Sequence, residues 1–271
     1  MTRSRFPSQL RSWRQRRGVS QLELSHRAHV SQRHISFVEA GRTTPSRDMV
    51  LRLCSALEIP LRQQNALLLA AGFAPLWSER PLGAPELAAV NQALDFMLAQ
   101  QEPYPAFVVD RRWTLLRSNL GARRLVGFLT DTAPSAPDPN NPVNLADALL
   151  APEALRGVIA NWPEVALYFV RGVQADAIAD GTDQTAALLQ RLIAYPDVAP
   201  LLRSPAFETT PDPVLPIRFE KHGTKLTMFT TIATLGTPRD VTLQQIRIEN
   251  FFPADPQTAG QFMRWARAAP T

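Results

Sequence analysis

The chain of 271 residues contains a single cysteine, Cys54, which excludes an intramolecular disulfide and any cluster of thiolate metal ligands. Its neighbours Leu51, Leu53 and Leu57 mark that thiol as a buried packing group rather than a nucleophile. No apolar run approaches the roughly 20 residues needed to cross a bilayer, and no signal-type apolar segment follows the basic start Met1-Thr2-Arg3-Ser4-Arg5. A cytoplasmic protein with no membrane partner is expected. Beyond residue 72 there is one histidine, His222, so a multi-histidine metal site has no ligands there. Gly-rich phosphate loops and Gly-x-Ser-x-Gly are also missing. These absences predict a protein that is not an enzyme and carries no cofactor or metal.

Lysine is missing from residues 1–72, where twelve Arg stand against Glu23, Glu39, Asp48 and Glu58, a net charge of +8; the rest of the chain has a net charge of −3. Clustered Arg on one small domain is the electrostatic footprint of phosphate binding. The length suits two domains. The Pro- and Gly-rich stretch Ser78 to Pro85 separates them, which predicts a first domain at 1–75, a linker at 76–84 and a second domain at 85–271.

In the first domain Ser20-Gln21-Leu22-Glu23 reads as a capping box, with the Ser20 hydroxyl on the Glu23 amide and the Glu23 carboxylate reaching back to the Ser20 amide. Ser31 caps a second helix that runs to about Ala40, and Gly41 supplies the left-handed residue that ends it. Only Ala28-His29-Val30 lies between, so the connection is a sharp turn. Leu24, Ala28, Val30, Ile35 and Val38 form one apolar set across both helices and leave Gln32, Arg33, Ser36 and Phe37 outside. Helices at about 7–16, 47–57 and 61–71 complete a five-helix module.

The words Gly18-Val19-Ser20-Gln21-Leu22-Glu23-Leu24 and Ile35-Ser36-Phe37-Val38-Glu39-Ala40-Gly41-Arg42 resemble the helix-turn-helix of the phage Cro and repressor family, also called the Xre family. The resemblance implies that the helix after the turn enters the major groove of double-stranded DNA. Carried across, Gln21 becomes a phosphate clamp, Ser31 caps the reading helix at the groove, and Gln32, Arg33, His34 and Ser36 are candidate base readers. Arg42 and Arg47, near helix ends, read as phosphate contacts. Phe37 reads as partial core or as a contact to a thymine methyl. Two departures stand out: His29 occupies the turn position where Gly is usual, and Ser25 stands where Ala is usual. His26, His29 and His34 read as surface residues.

From Pro85 to Gln101 the apolar Leu87, Val90, Leu94 and Leu98 fall three or four apart, predicting a helix that connects the domains or pairs with its copy in a dimer. Strands are expected at 106–110 and 113–117, a helix at 119–128, and helical segments from about 145 to 202, with breaks near Pro152, Pro163, Gly181 and Pro196. Strands at 217–221, 226–235 and 243–248 then form an antiparallel meander. Asp176, Asp180 and Asp183 read as a solvated acidic face.

Strand, strand, helix, helical insertion and meander is the order of a PAS-like domain. The words Pro105-Ala106-Phe107-Val108-Val109-Asp110-Arg111-Arg112-Trp113, Asn161-Trp162 and Glu249-Asn250-Phe251-Phe252-Pro253-Ala254-Asp255 resemble the C-terminal domain of MmyB-like regulators. The fold class is thus a helical module followed by a mixed α and β domain. The resemblance implies a small apolar, fatty-acid-like ligand in that domain and an operator affinity that follows its occupancy. Candidate ligand contacts are Phe107, Val109, Leu115, Trp162, Phe169 and Phe229. A homodimer on a near-palindromic operator is expected, because one recognition helix reads too few base pairs. The alternative is a second domain that binds a protein and no small molecule.

Overall fold

The computed structural model describes residues 5–204 and 214–268, and these fall into two compact units. The first runs to Pro81 and also takes in Thr237–Gln244; the second comprises Leu82–Gly236 and resumes at Gln245.

The first unit contains α1 (Phe6–Arg16), α2 (Gln21–Ala28), α3 (Gln32–Glu39), α4 (Arg47–Ala56) and α5 (Leu61–Ala70). The Ser20 hydroxyl accepts from the Glu23 amide at 3.0 Å, the Ser31 hydroxyl from the His34 amide at 3.2 Å and the Ser46 hydroxyl from the Met49 amide at 3.2 Å. Each cap satisfies one of the backbone donors that a helix start leaves without an internal partner. The second half of the expected capping box is replaced, since the Glu23 carboxylate accepts from Arg27 one turn on, at 2.8 Å. An Arg at the fourth following position competes successfully for an exposed carboxylate. Gly41 ends α3 at φ +68°. Phe6, Leu10, Trp13, Leu24, Ala28, Ile35, Val38, Leu53 and Leu67 close one core around the turn. Cys54 lies within it, and burial pushes its thiol up to about 12, which fits a packing role.

His29 adopts the left-handed conformation, φ 53° and ψ 47°, that the turn demands. A Cβ there is sterically costly, and the residue is exposed. His29→Gly is therefore expected to raise the stability of this unit by about 1 kcal/mol, read as a higher midpoint in thermal unfolding. A lower midpoint would mean that the imidazole makes a compensating contact.

The second unit opens with a short 3-10 turn and α6 (Ala88–Gln100). Then come β1 (Ala106–Val109), β2 (Leu115–Ser118), α7 (Leu120–Thr130), α8 (Leu145–Leu150), α9 (Trp162–Asp180), α10 (Asp183–Ile193) and α11 (Val198–Arg203). The chain continues through β3 (Ile217–Lys221) and β4 (Thr224–Ala233), passes through the first unit, where α12 (Val241–Gln245) forms, and returns for β5 (Arg247–Pro253) and α13 (Pro256–Arg267). The strands form one antiparallel sheet in the order β2-β1-β5-β4-β3, so β3, β4 and β5 make the expected meander and β5 joins it to the first hairpin.

Three expected boundaries move. Trp113 belongs to the turn before β2, at φ 65°, held by the Asp110 carboxylate, which accepts from the Arg112 and Thr114 amides at 2.8 Å each. Pro163 does not break a helix but sits in the first turn of α9, where its missing N–H costs nothing. The third meander strand begins at Arg247 rather than 243, because Asp240 caps the Thr242 amide at 2.9 Å and starts the helical turn of α12.

Candidate functional site

The helix-turn-helix leaves Ser31, Gln32 and Arg33 exposed on the first turn of α3, with His34, Ser36 and Phe37 half-buried behind them. The Arg33 guanidinium lies 5.2 Å from the Phe37 ring centre and that of Arg42 lies 5.8 Å from it. Phe37 is thus a platform that orders two cations on the outer ridge of α3, a role the sequence alone did not reveal. Arg47 is exposed at the start of α4.

Behind this ridge is a polar network that sequence reasoning missed. Arg14 of α1 donates to both oxygens of Glu39 in α3, at 2.7 and 2.9 Å, and to the Val19 carbonyl at 2.9 Å. The Gln21 amide of α2 donates to the same carboxylate at 2.8 Å. The side chains of Arg14 and Glu39 are only 12% and 4% exposed, so this is a buried, two-pronged pair rather than a surface contact. The hydrogen bonds that Arg14 donates to Glu39 favour its charged form and push it above the ordinary guanidinium value. One carboxylate therefore ties α1, α2 and α3 together and fixes how α3 is presented. Arg14 is consumed in this pairing, so the basic excess open to phosphate is carried by exposed groups such as Arg33, Arg42 and Arg47.

The second unit holds a cavity of about 1080 Å³, just above the roughly 300–1,000 Å³ of small-molecule sites. Its wall is drawn from β1, β3, β4, β5 and the helical insertion α8 to α9, among others, and is mostly apolar. Of the six expected contacts, Phe107 and Phe169 belong to the wall. Val109 and Trp162 are buried in the adjoining core, Leu115 packs against that core, and the Trp162 N–H is already spent on the Leu149 carbonyl at 2.9 Å. Phe229 stacks on Phe252 across β4 and β5 at 5.6 Å, on the face opposite the cavity.

The inward residues of β4 and β5 are mixed, with Ile232 and Phe251 beside polar side chains. Thr230 on β4, with Arg247 and Glu249 two residues apart on β5, line the cavity. Arg247 pairs with Asp176 of α9 at 2.7 Å and lies 5.8 Å from the Trp113 ring centre, and Trp113 meets Phe169 edge-on at 4.7 Å. The buried Trp113 N–H has no partner among the described residues. Desolvation pushes the Glu249 carboxyl up to about 7, against the opposing pull of the Thr230 hydroxyl and the Arg247 charge. Asp176 and Asp180 are therefore not a solvated face. Asp180 is buried and paired with Arg111 at 2.9 Å, Asp176 belongs to the cavity, and Asp183 alone is exposed. Among the described residues no cluster of His, Cys, Asp and Glu could hold a metal, and no helix is long and apolar enough to cross a membrane.

Residues 10–64 match the family described as "Helix-turn-helix", over the caps, turn and exposed α3 ridge described above. Residues 90–263 match the "MmyB-like transcription regulator ligand binding domain", which spans the five-stranded sheet and the cavity. A helix-turn-helix joined to a ligand-binding domain defines a DNA-binding transcription regulator. The chain belongs to the MmyB-like transcription regulators. No curated protein matches it. A solved structure entitled "Structure of an RNA-binding Light-Oxygen-Voltage Receptor" aligns with 14% identity over 98% of this chain and 64% of that one, at a TM-score of 0.27.

Proposed function

We propose that the protein is a one-component regulator: an apolar molecule of fatty-acid-like size occupies the cavity and changes the affinity of the helix-turn-helix for its operator. The observation that carries this reading is the path of the chain between β4 and β5. Both strands line the cavity, yet the connection Thr237–Gln244 is part of the first unit. There Asp240, with a side chain 4% exposed, pairs with Arg80 at 3.1 Å, the Val241 amide donates to the Ser78 carbonyl at 2.8 Å, and Gln244 accepts from the Leu61 amide at the start of α5 at 2.8 Å. A displacement of the paired strands β4 and β5 on filling the cavity is thereby delivered into the helix-turn-helix unit through covalent chain. A ligand shifts such an equilibrium only by its differential affinity for the two states.

The regulator binds near-palindromic double-stranded DNA as a homodimer, with two α3 helices about 34 Å apart in successive major-groove turns. The dimer contact lies in α6 or elsewhere in the second unit; Phe96 on α6 is 64% exposed. Gln32, Arg33, His34 and Ser36 read bases, and Gln21, Ser31, Arg42 and Arg47 meet the backbone.

Two variants test the interface by fluorescence anisotropy. Arg33→Ala is expected to cost about 1–3 kcal/mol on the preferred operator and to relax choice at one base pair. Arg42→Ala is expected to weaken all sequences alike and to flatten the log–log salt dependence by about 0.9. Uniform weakening by Arg33→Ala would move that residue to the backbone, and an unchanged salt slope would remove Arg42 from it. For the ligand half, native mass spectrometry of the purified chain is expected to show a bound lipid-like mass whose removal alters operator affinity. A chain that carries nothing and binds DNA identically after lipid extraction would favour a protein partner for the second unit.

A further inference from the structure

Arginines of the first unit that pair with carboxylates are spent as cations: Arg14 with Glu39 and Arg27 with Glu23. Arg33 and Arg42 are exposed and pair with no carboxylate among the described residues. One ring orders both of them, with their guanidinium carbons over Phe37 at 5.2 and 5.8 Å from its centre. A ring face attracts a cation without cancelling its charge, so both remain open to an anion or a base edge.

The backbone imposes this arrangement. Arg33 lies one helical turn before Phe37, so the two side chains share a face of α3. Arg42 reaches the ring from the other end of the helix. Gly41 at φ +68° reverses the chain, its amide donates to the Val38 carbonyl at 3.1 Å, and the Arg42 amide donates to the Phe37 carbonyl at 2.9 Å. These are the two bonds of a Schellman stop, which sets the residue after the glycine against the residue that accepts its amide. The apolar contact usual at that place is here a cation on a ring. An arginine free in solvent loses much rotamer freedom on docking, and part of that loss is met in the free protein.

We infer that Phe37 is a positioning residue for operator recognition: its ring holds a base-reading arginine and a phosphate-binding arginine in one ready arrangement, so that base choice and backbone anchoring are made together. This rests on the assignment of Arg33 to bases and Arg42 to the backbone. The effect of the ring passes through the two cations, which separates it from an apolar contact to a thymine methyl.

The test uses the full-length protein and the duplex that it selects from a random-sequence library, with single base-pair variants of that duplex, by fluorescence anisotropy. Phe37→Leu keeps an apolar side chain and removes the ring. It is expected to weaken the selected duplex roughly fivefold to tenfold and to narrow the preference at the base pair that Arg33→Ala identifies. The salt slope is expected to stay unchanged, since both charges remain. Phe37→Tyr restores the ring and is expected to bind within about twofold of the wild type. In the Arg33→Ala/Arg42→Ala background, measured at low salt where the weakened complex still forms, Phe37→Leu is expected to change affinity by less than about twofold. Thermal unfolding checks that each variant is folded, and Phe37→Met takes the place of Phe37→Leu if the latter is not. An equal loss on Phe37→Leu with and without the two arginines would overturn the inference and make the ring a packing group or a direct DNA contact. Phe37→Tyr binding as weakly as Phe37→Leu would overturn it too. Arg33→Ala leaving base preference unchanged at every position would overturn the underlying assignment, and the inference with it.

Discussion

Glu39→Ala is expected to lower the stability of the helix-turn-helix unit by about 3–5 kcal/mol, the cost typical of removing one member of a buried ion pair. The Arg14 guanidinium would be left with the Val19 carbonyl and no counter-charge, in a site where the pair is 12% and 4% exposed. Gln21 would lose its acceptor as well, so α1, α2 and α3 would be untied together. Small domains hold about 5–15 kcal/mol in total, so such a loss is a large share of their stability. Urea unfolding of the full chain followed by far-ultraviolet circular dichroism measures it, and a change under about 1 kcal/mol would show that the network is dispensable. Replacing both partners, as Arg14→Met with Glu39→Met, leaves no unpaired charge and is expected to recover most of the stability. Operator affinity is expected to stay low in that double variant, because Gln21 no longer has an anchor and α3 is no longer held to α2 through a shared carboxylate. Recovery of both would reduce the network to a stability device.

The helix-turn-helix was legible because its determinants are local. Ser20, Ser31 and Gly41 act within four residues of themselves, and His29 reveals its left-handed turn by standing between two caps. The Arg14–Glu39 pair was not legible, because it joins positions 25 residues apart and each charge looks like ordinary surface in sequence. In the second unit the order of strands and helices followed from pattern and resemblance, while the register of β5 did not. Ile246 and Ile248 suggest a strand from 243, but the Asp240 cap diverts residues 241–245 into a helical turn. The cavity was misread for a related reason. Apolarity points to Phe229 as wall, yet alternation turns Thr230, Arg247 and Glu249 inward and Phe229 outward. Which face of a strand meets a cavity depends on packing across the sheet, and polar residues directed inward are a signal that hydrophobicity alone hides.

That inward carboxyl makes Glu249→Gln the substitution with the largest expected stabilisation, and one whose size depends on pH. Glu249 is half-buried and lines the cavity. Burial favours its neutral form and lifts the carboxyl from 4.5 to about 7, while Thr230 on β4 and Arg247 on β5, the latter shared with Asp176 of α9, offset part of the effect. In the unfolded chain the group loses its proton near the ordinary value; in the folded chain it keeps it to about 7. The folded state therefore binds more protons across this window, so this group's contribution to stability falls as pH rises from about 4.5 to 7 and stays low above it. The full difference is on the order of 3 kcal/mol, at about 1.36 kcal/mol per unit. Gln cannot ionise and keeps an acceptor for the Thr230 hydroxyl. Its advantage over the wild type is expected to be small near pH 4, to grow through pH 6 and to level off by about pH 8. Thermal unfolding of both proteins in parallel at those values measures the difference. An advantage that is the same at every pH would mean that folding leaves the Glu249 carboxyl at its ordinary value, and one that shrinks as pH rises would mean that the folded protein favours the carboxylate.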